Sequence, residues 1–214
     1  MRFVNGFSRR ASLLVALLAG GGHAQPRPVV TASTLLARFA TVPGLTARFH
    51  EEKRMAILAV PLVSDGTVAY ARPARLVRRT TSEPRSVVLI DDGRLRFGGA
   101  PGQTIELSSS PVVQQFVDSF LGLVRGDEAA LQRAYTVSFR APDATHAERW
   151  ELRLEPRAQA LRGVFRDITL RGHDVVLTWM LVRETSGDET ETTFSDVQPN
   201  HAFSPAEAAS TFHP

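Results

Sequence analysis

The sequence predicts an α+β fold: one curled antiparallel sheet of about eleven strands, with three or four helices set against its apolar face. Three observations lead there. Apolar and polar residues alternate with period two through most of the chain. Turn signals interrupt that alternation about every 8–12 residues, the rhythm of an antiparallel sheet. One long stretch, 111–125, switches to a helical period. The 214 residues contain no internal repeat and no interdomain linker, so 31–214 reads as one domain behind a Pro-containing leader, 25–30.

Thr31 or Ser33 can cap a first helix carrying Leu35, Leu36, Phe39 and Val42, which Pro43-Gly44 ends. Leu45, Ala47 and Phe49 then share one face of a strand. Ile57–Val63 is apolar but broken by Pro61, which suits an edge strand or a bulge. Asp65-Gly66 reads as a turn into a short strand whose Val68, Tyr70 and Arg72 share one face. Strands at Leu76–Thr80 and Ser86–Ile90 lead to the tight-hairpin dipeptide Asp92-Gly93 and to Arg94–Phe97. A loop, Gly98–Gly102, and a short strand, Gln103–Leu107, follow. Ser110 and Pro111 then open the amphipathic helix bearing Val112, Val113, Phe116, Val117, Phe120, Leu121 and Val124. Gly126-Asp127 separates it from a shorter helix, Glu128–Ala134. Strands return at Tyr135–Arg140, Trp150–Leu154, Val164–Arg171, Val175–Arg183 and Thr190–Val197, with His173-Asp174 in a turn.

Many strands set large apolar residues against charged or Thr-rich ones, as Trp150, Leu152 and Leu154 oppose Glu151, Arg153 and Glu155. The sheet is therefore apolar on one side and wet on the other. That apolar side is either a filled core or a lined cavity for an acyl chain, and periodicity does not separate the two.

The first residues set the compartment. Arg2, Arg9 and Arg10 precede a short apolar run, Ala11–Ala19, and the small residues up to Ala24. This is the pattern of a secretory signal peptide, residues 1–24, cleaved after Ala24. The apolar core is too short to stay as an anchor, which needs roughly 20 apolar residues. A periplasmic, soluble protein is expected. Without the signal the chain carries 22 basic and 22 acidic residues, which removes the net basic charge that nucleic-acid binding needs. The 0 cysteines exclude disulfides, thiol nucleophiles and lipidation on cysteine. Seven arginines lie in Arg72–Arg96, and six acids with no base run from Glu184 onward. These are either solvated strand faces or two docking surfaces of opposite sign.

Catalytic constellations are absent or weak. No G-x-S-x-G elbow, Gly-rich phosphate loop or H-E-x-x-H occurs. His50 and Glu52 share a strand face, but a metal would need more ligands. Asp91-Asp92-Gly93 is a turn, not an acid pair. No enzyme, metal or cofactor is expected.

The order of these residues resembles a family. Phe49-His-Glu-Glu-Lys-Arg, the Gly66-led strand ending in Arg72-Pro73, and the Val88–Leu95 stretch around Asp92-Gly93 are similar to the LolA family, periplasmic carriers of outer-membrane lipoproteins. Trp150–Pro156, Phe165–Ile168 and Glu189–Phe194 resemble its later strands, so the likeness covers about 31–210. The Met55–Ser64 stretch looks like LolA-related proteins of lipid or aryl polyene export clusters. Tyr70 stands where the carriers commonly have tryptophan, which leaves open a lipoprotein, glycolipid or polyene-ester cargo. The outer-membrane receptor LolB shares the fold but is itself a lipoprotein, which a chain without cysteine is not.

The resemblance implies an unclosed antiparallel β-half-barrel with helices as a lid over its concave apolar face. It also implies acylated cargo bound non-covalently, an inner-membrane donor, an outer-membrane acceptor and a monomer. Expected cavity residues are Phe49, Val68, Tyr70, Leu76, Val88, Ile90 and Leu95 from strands and Phe116, Phe120 and Val124 from the lid. Leu152, Leu154, Ile168 and Leu170 come from the far side of the sheet. Arg72 matches the family's arginine before proline, implied to latch the lid helices; the plain alternative is a surface arginine on an edge strand. Two other functions remain open: a lipid-sensing module for an envelope partner, and a lipid esterase, for which no nucleophile–base pair is visible.

Overall fold

The computed structural model describes residues 30–82, 84–98, 103–142 and 149–214. The expected signal segment lies outside the described residues, as does the leader up to residue 29. Helix α1, Ala32–Phe39, opens with a capping box: the Thr34 amide donates to Thr31 Oγ1 at 3.1 Å and the Thr31 amide to Thr34 Oγ1 at 2.7 Å. The strands β1 Gly44–Arg54, β2 Leu62–Ala71, β3 Arg75–Thr80, β4 Ser86–Asp91, β5 Arg94–Gly98 and β6 Gln103–Glu106 follow. Helices α2, Pro111–Arg125, and α3, Glu128–Ala134, lead to β7 Tyr135–Arg140 and β8 Trp150–Pro156. A short helix α4, Gln159–Arg162, precedes β9 Phe165–His173, β10 Val176–Glu184, β11 Glu189–Pro199 and helix α5, Pro205–Thr211.

All eleven strands form one antiparallel sheet in the order β6-β5-β4-β3-β2-β1-β11-β10-β9-β8-β7. The chain enters at the middle and walks by hairpins to one edge. It then crosses to the other edge and walks back until β11 pairs with β1. The crossing segment holds α2 and α3. Laid flat, the two edges would stand about 48 Å apart at about 4.8 Å per strand. Helix α2, with 15 residues, is only about 22 Å long. The sheet curls to match. Ile90 on β4 and Leu154 on β8 are seven strands apart in the order yet line one cavity. Among the described residues the edges β6 and β7 do not pair, so the sheet is an unclosed half-barrel.

Three apolar clusters hold this shape. One joins α1 and Leu123 of α2 to β7–β10, around Trp150, Leu152 and Leu154. A second joins Val117, Leu121 and Val124 of α2 to β2, β4 and β5 through Tyr70, Ile90 and Leu95. Helix α2 thus packs against both halves of the sheet. The third lies on the opposite face, where Ala69, Val77 and Leu89 meet Phe212 and, less buried, Phe203 and Ala208.

That third cluster corrects the expectation of one uniformly wet face. Over β2–β4 the convex side is buried beneath α5, which the sequence reading missed. Two further expectations fail on the β1–β2 hairpin. Ile57–Pro61 is the hairpin tip rather than a strand, with Ile57 84% and Val60 70% exposed. Asp65-Gly66 lies inside β2 rather than in a turn. A Cβ at Gly66 would fall 2.0 Å from the Arg79 carbonyl oxygen and 2.6 Å from the Phe49 ring. Glycine is there for close approach, not for a turn.

The expected turn at Asp92-Gly93 is present, both residues having positive φ, 49° and 69°. Gly126 ends α2 in the left-handed region, φ 72°, and a Cβ there would meet the Leu36 carbonyl oxygen at 2.0 Å. At Gly93 nothing lies within 4 Å of such an atom. Gly93→Ala should therefore cost only the left-handed penalty, about 1–2 kcal/mol. Gly126→Ala should cost clearly more, because α1 and α2 must also move apart. Urea unfolding of the two variants measures the difference.

Candidate functional site

Between α2 and the concave face lies a cavity of about 340 Å³. Phe49, Val68, Leu76 and Ile90 wall it from one half of the sheet. Leu154, Ile168, Leu170, Met180 and Val182 wall it from the other. Phe116, Val117, Phe120 and Leu123 form the roof, where Phe116 stacks on Phe165 of β9 at 5.1 Å between ring centroids. A second chamber, about 50 Å³, lies toward α1 and shares Val68, Leu76, Phe120, Leu123 and Phe194 with the first. The shared side chains stand between two adjacent apolar spaces.

Of the fourteen residues expected at the cavity, Phe49, Val68, Leu76, Ile90, Phe116, Phe120, Leu154, Ile168 and Leu170 line the larger chamber. Tyr70 and Val124 line the smaller one. Val88, Leu95 and Leu152 line neither. They lie on the strand faces that the alternation places inward, but helices fill the space above them. Val88 and Leu95 belong to the cluster containing Val117 and Leu121 of α2. Leu152 is fully buried in the cluster that contains Leu35 and Leu36 of α1. The sequence reading missed Val117, Leu123, Tyr135, Phe165, Met180, Val182 and Phe194, and also five polar residues, Glu51, Arg78, Glu184, Thr190 and Thr192. Period-two extension along β1, β10 and β11 reaches most of these. Their polar character argued against an inward position.

At the α1 end, α2 is joined to α1 and β2 by hydrogen bonds from two arginines. Arg72, just after β2, donates from Nε to the Val42 carbonyl at 2.8 Å. Its Nη2 donates to the carbonyls of Phe39 at 3.1 Å, Ala40, and Arg125 at 3.4 Å. These oxygens belong to the C-terminal ends of α1 and α2 and the turn that follows α1, where helix carbonyls lack intrahelical partners and carry partial negative charge. One cation thus serves two helix ends. In return Arg125 Nε donates to the Pro73 carbonyl at 2.7 Å. Tyr70 lies beneath, its hydroxyl 3.5 Å from the same oxygen. Burial raises its pKa, opposed by the Arg72 and Arg125 charges, so the phenol stays neutral.

Elsewhere several charged residues pair within the chain. Arg75 pairs with Asp91 at 3.1 Å, Arg94 with Glu106 at 2.8 Å, and Arg54 with Glu191 at 3.3 Å. His50 and Glu52 do share a face, at 3.9 Å, but His50 bonds Asp65 at 2.8 Å. That bond raises the His50 pKa.

The family model described as "outer membrane lipoprotein carrier protein LolA-like" matches residues 24–212. The chain belongs to the LolA-like family. Among solved structures this LolA-like chain is similar to a LolA superfamily protein of Nitrosomonas europaea. They share 13% identity over 86% of this chain and 98% of that one, with TM-score 0.44. It is also similar to a chain of the Pseudomonas aeruginosa MucA/MucB complex, at 16% identity over 82% of this chain and 59% of that one, TM-score 0.46. The lipoprotein LppX of Mycobacterium tuberculosis shares 11% identity over 81% of this chain and 99% of that one, TM-score 0.44. No curated protein matches by sequence.

Two outcomes follow from the geometry. Arg72→Leu leaves the carbonyls of two helix ends without their donor, at about 1–3 kcal/mol. Amide exchange in the last turns of α1 and α2 should accelerate while the central strands keep their protection. For His50 the raised pKa means a contribution present below the ordinary value of 6.5 and lost as pH rises through the folded-state value. His50→Ala should therefore lower the unfolding midpoint near about pH 5.5 and leave it unchanged near about pH 8.5.

Proposed function

We propose that this LolA-like protein is a periplasmic carrier. It holds the acyl chains of a lipoprotein, or of a related lipid, in the cavity under α2 and moves them from an inner-membrane donor to an outer-membrane acceptor. One observation carries the reading: an almost wholly apolar space lies between a curled sheet and a helix whose far end is tied by hydrogen bonds to Arg72. Family membership supports the same direction.

The energetics favour such a device. Each methylene exposed to water costs about 0.8 kcal/mol, so a long acyl chain cannot cross the aqueous space alone. A full-length chain, if buried, gains on the order of 10 kcal/mol. The Arg72 bonds involve a charged donor at about 1.5–3 kcal/mol each, reduced where water reaches them. Cargo can therefore hold the lid in a displaced position that the empty protein does not favour. Displacing Phe120 and Leu123, which belong to both chambers, would merge them into one larger space. When the acceptor takes the chain, the arginine bonds re-form.

The test is direct binding. A fluorescent acyl probe should bind the purified protein, and Phe120→Asp should weaken it at least about tenfold by placing a charge in the apolar space. Failure of the wild-type protein to bind acyl probes would end the carrier reading. Arg72→Leu should keep the fold and change the rate at which loaded protein gives up its cargo. Unchanged transfer would remove Arg72 from the mechanism.

A further inference from the structure

Besides Tyr135, the polar residues on the cavity wall are Glu51, Arg78, Glu184, Thr190 and Thr192, and the strand register gathers them at one end. The inner face of β1 runs Leu45, Ala47, Phe49, then Glu51 and Lys53. Opposite them on β11 stand Thr192, paired with Glu51, and Thr190, paired with Lys53. Glu51 Oε1 accepts from Arg78 Nη2 at 2.9 Å and from Ser64 Oγ at 3.4 Å. Its Oε2 accepts from Thr192 Oγ1 at 3.2 Å. Arg78 Nη1 donates to Thr80 Oγ1 at 3.0 Å, and its guanidinium lies 4.1 Å from the centroid of the Phe49 ring. Phe49 is itself seated over Gly66. Beside this network Lys53 Nζ donates to Glu184 Oε1 at 3.1 Å. Side-chain exposures of 23–34% leave both pairs partly open to water; Glu51, Arg78 and Glu184 line the cavity and Lys53 stands beside it.

We propose that this polar end is a head-group subsite that accepts a zwitterionic or uncharged head and disfavours an anionic one. The proposal rests on the reading that the cavity holds acyl chains. It orients them: tails run toward Tyr70, and the head stays at Arg78–Glu51 and Lys53–Glu184.

Polar side chains on a cavity wall give up water without gaining stability. Partly exposed ion pairs contribute little to folding, and apolar residues would line an acyl cavity more favourably. Their placement is explained if the ligand brings polar atoms to the same end. Two cations and two anions sum to no net charge. A head carrying both a phosphate and an ammonium can exchange with these pairs one for one. A hydroxyl or ester head can use the Thr190 and Thr192 hydroxyls without breaking them. A purely anionic head must draw Arg78 or Lys53 from its carboxylate, leaving Glu51 or Glu184 partly buried without a counter-charge. The other end offers no alternative, because there Arg72 is occupied by helix carbonyls and Tyr70 is buried.

The experiment displaces a bound fluorescent acyl probe with three single-chain palmitoyl lipids. These are lysophosphatidylglycerol (anionic), lysophosphatidylethanolamine (zwitterionic) and monopalmitoylglycerol (uncharged). The zwitterionic and uncharged lipids should displace at concentrations at least about tenfold lower than the anionic one. Glu51→Gln combined with Glu184→Gln frees both cations and should bring the anionic lipid level with the others. Equal displacement by all three in the wild type, or preference for the anionic lipid, overturns the subsite while the acyl reading stands. Absence of any probe binding overturns the acyl reading and the subsite with it. Single Glu51→Gln and Glu184→Gln variants, checked for unchanged unfolding midpoints, guard against a fold defect in the double variant.

Discussion

Everything on the concave side depends on one connection. The chain leaves the sheet at one edge and re-enters at the other, so α2 has to cross the face between them. A helix of that length spans the gap only if the sheet is curled. Curling then brings strands from opposite halves around a shared space. The roof of the cavity and the cause of its existence are the same element.

This constraint also limits how α2 could move in the proposed carrier. Val117, Leu121, Leu123 and Val124 of α2 are all buried. Exposing them would cost on the order of 6–12 kcal/mol, comparable with the whole stability of a typical domain. Helix α2 therefore does not lift away as a body. Phe116 and Phe120 are only half-buried and face the cavity, so a tilt that opens there keeps most of the apolar contacts. The Arg72–Arg125 exchange lies at the end where such a tilt would be felt as stretched hydrogen bonds. Gly126, pressed against Leu36, makes that end a tight joint between α1 and α2.

Strands with strict alternation were legible, as was the helix at 111–125, because one solvated face and one buried face leave an unambiguous period. The pair of helix ends gathered by Arg72 was implied only by family resemblance; a single arginine before a proline has no local signature. Gly66 misled because a glycine needed for contact with Phe49 and Arg79 looks the same in sequence as one needed for a turn. Val88, Leu95 and Leu152 sit on the inward faces, but which inward residue meets a cavity and which meets a helix is decided by α1 and α2, far away in sequence. The polar end of the cavity was invisible for the opposite reason. Glu51, Arg78 and Glu184 read as ordinary wet positions until the register places them together.

The decisive measurement is photocrosslinking in the native host, with a photoreactive residue at Phe120 and the adduct identified by mass spectrometry. Phe120 borders both chambers, so cargo in either lies within reach. An acylated adduct, lipoprotein or free lipid, is the expected result. A correctly folded protein that yields no acyl adduct would mean that the space under α2 is merely an imperfection of the core.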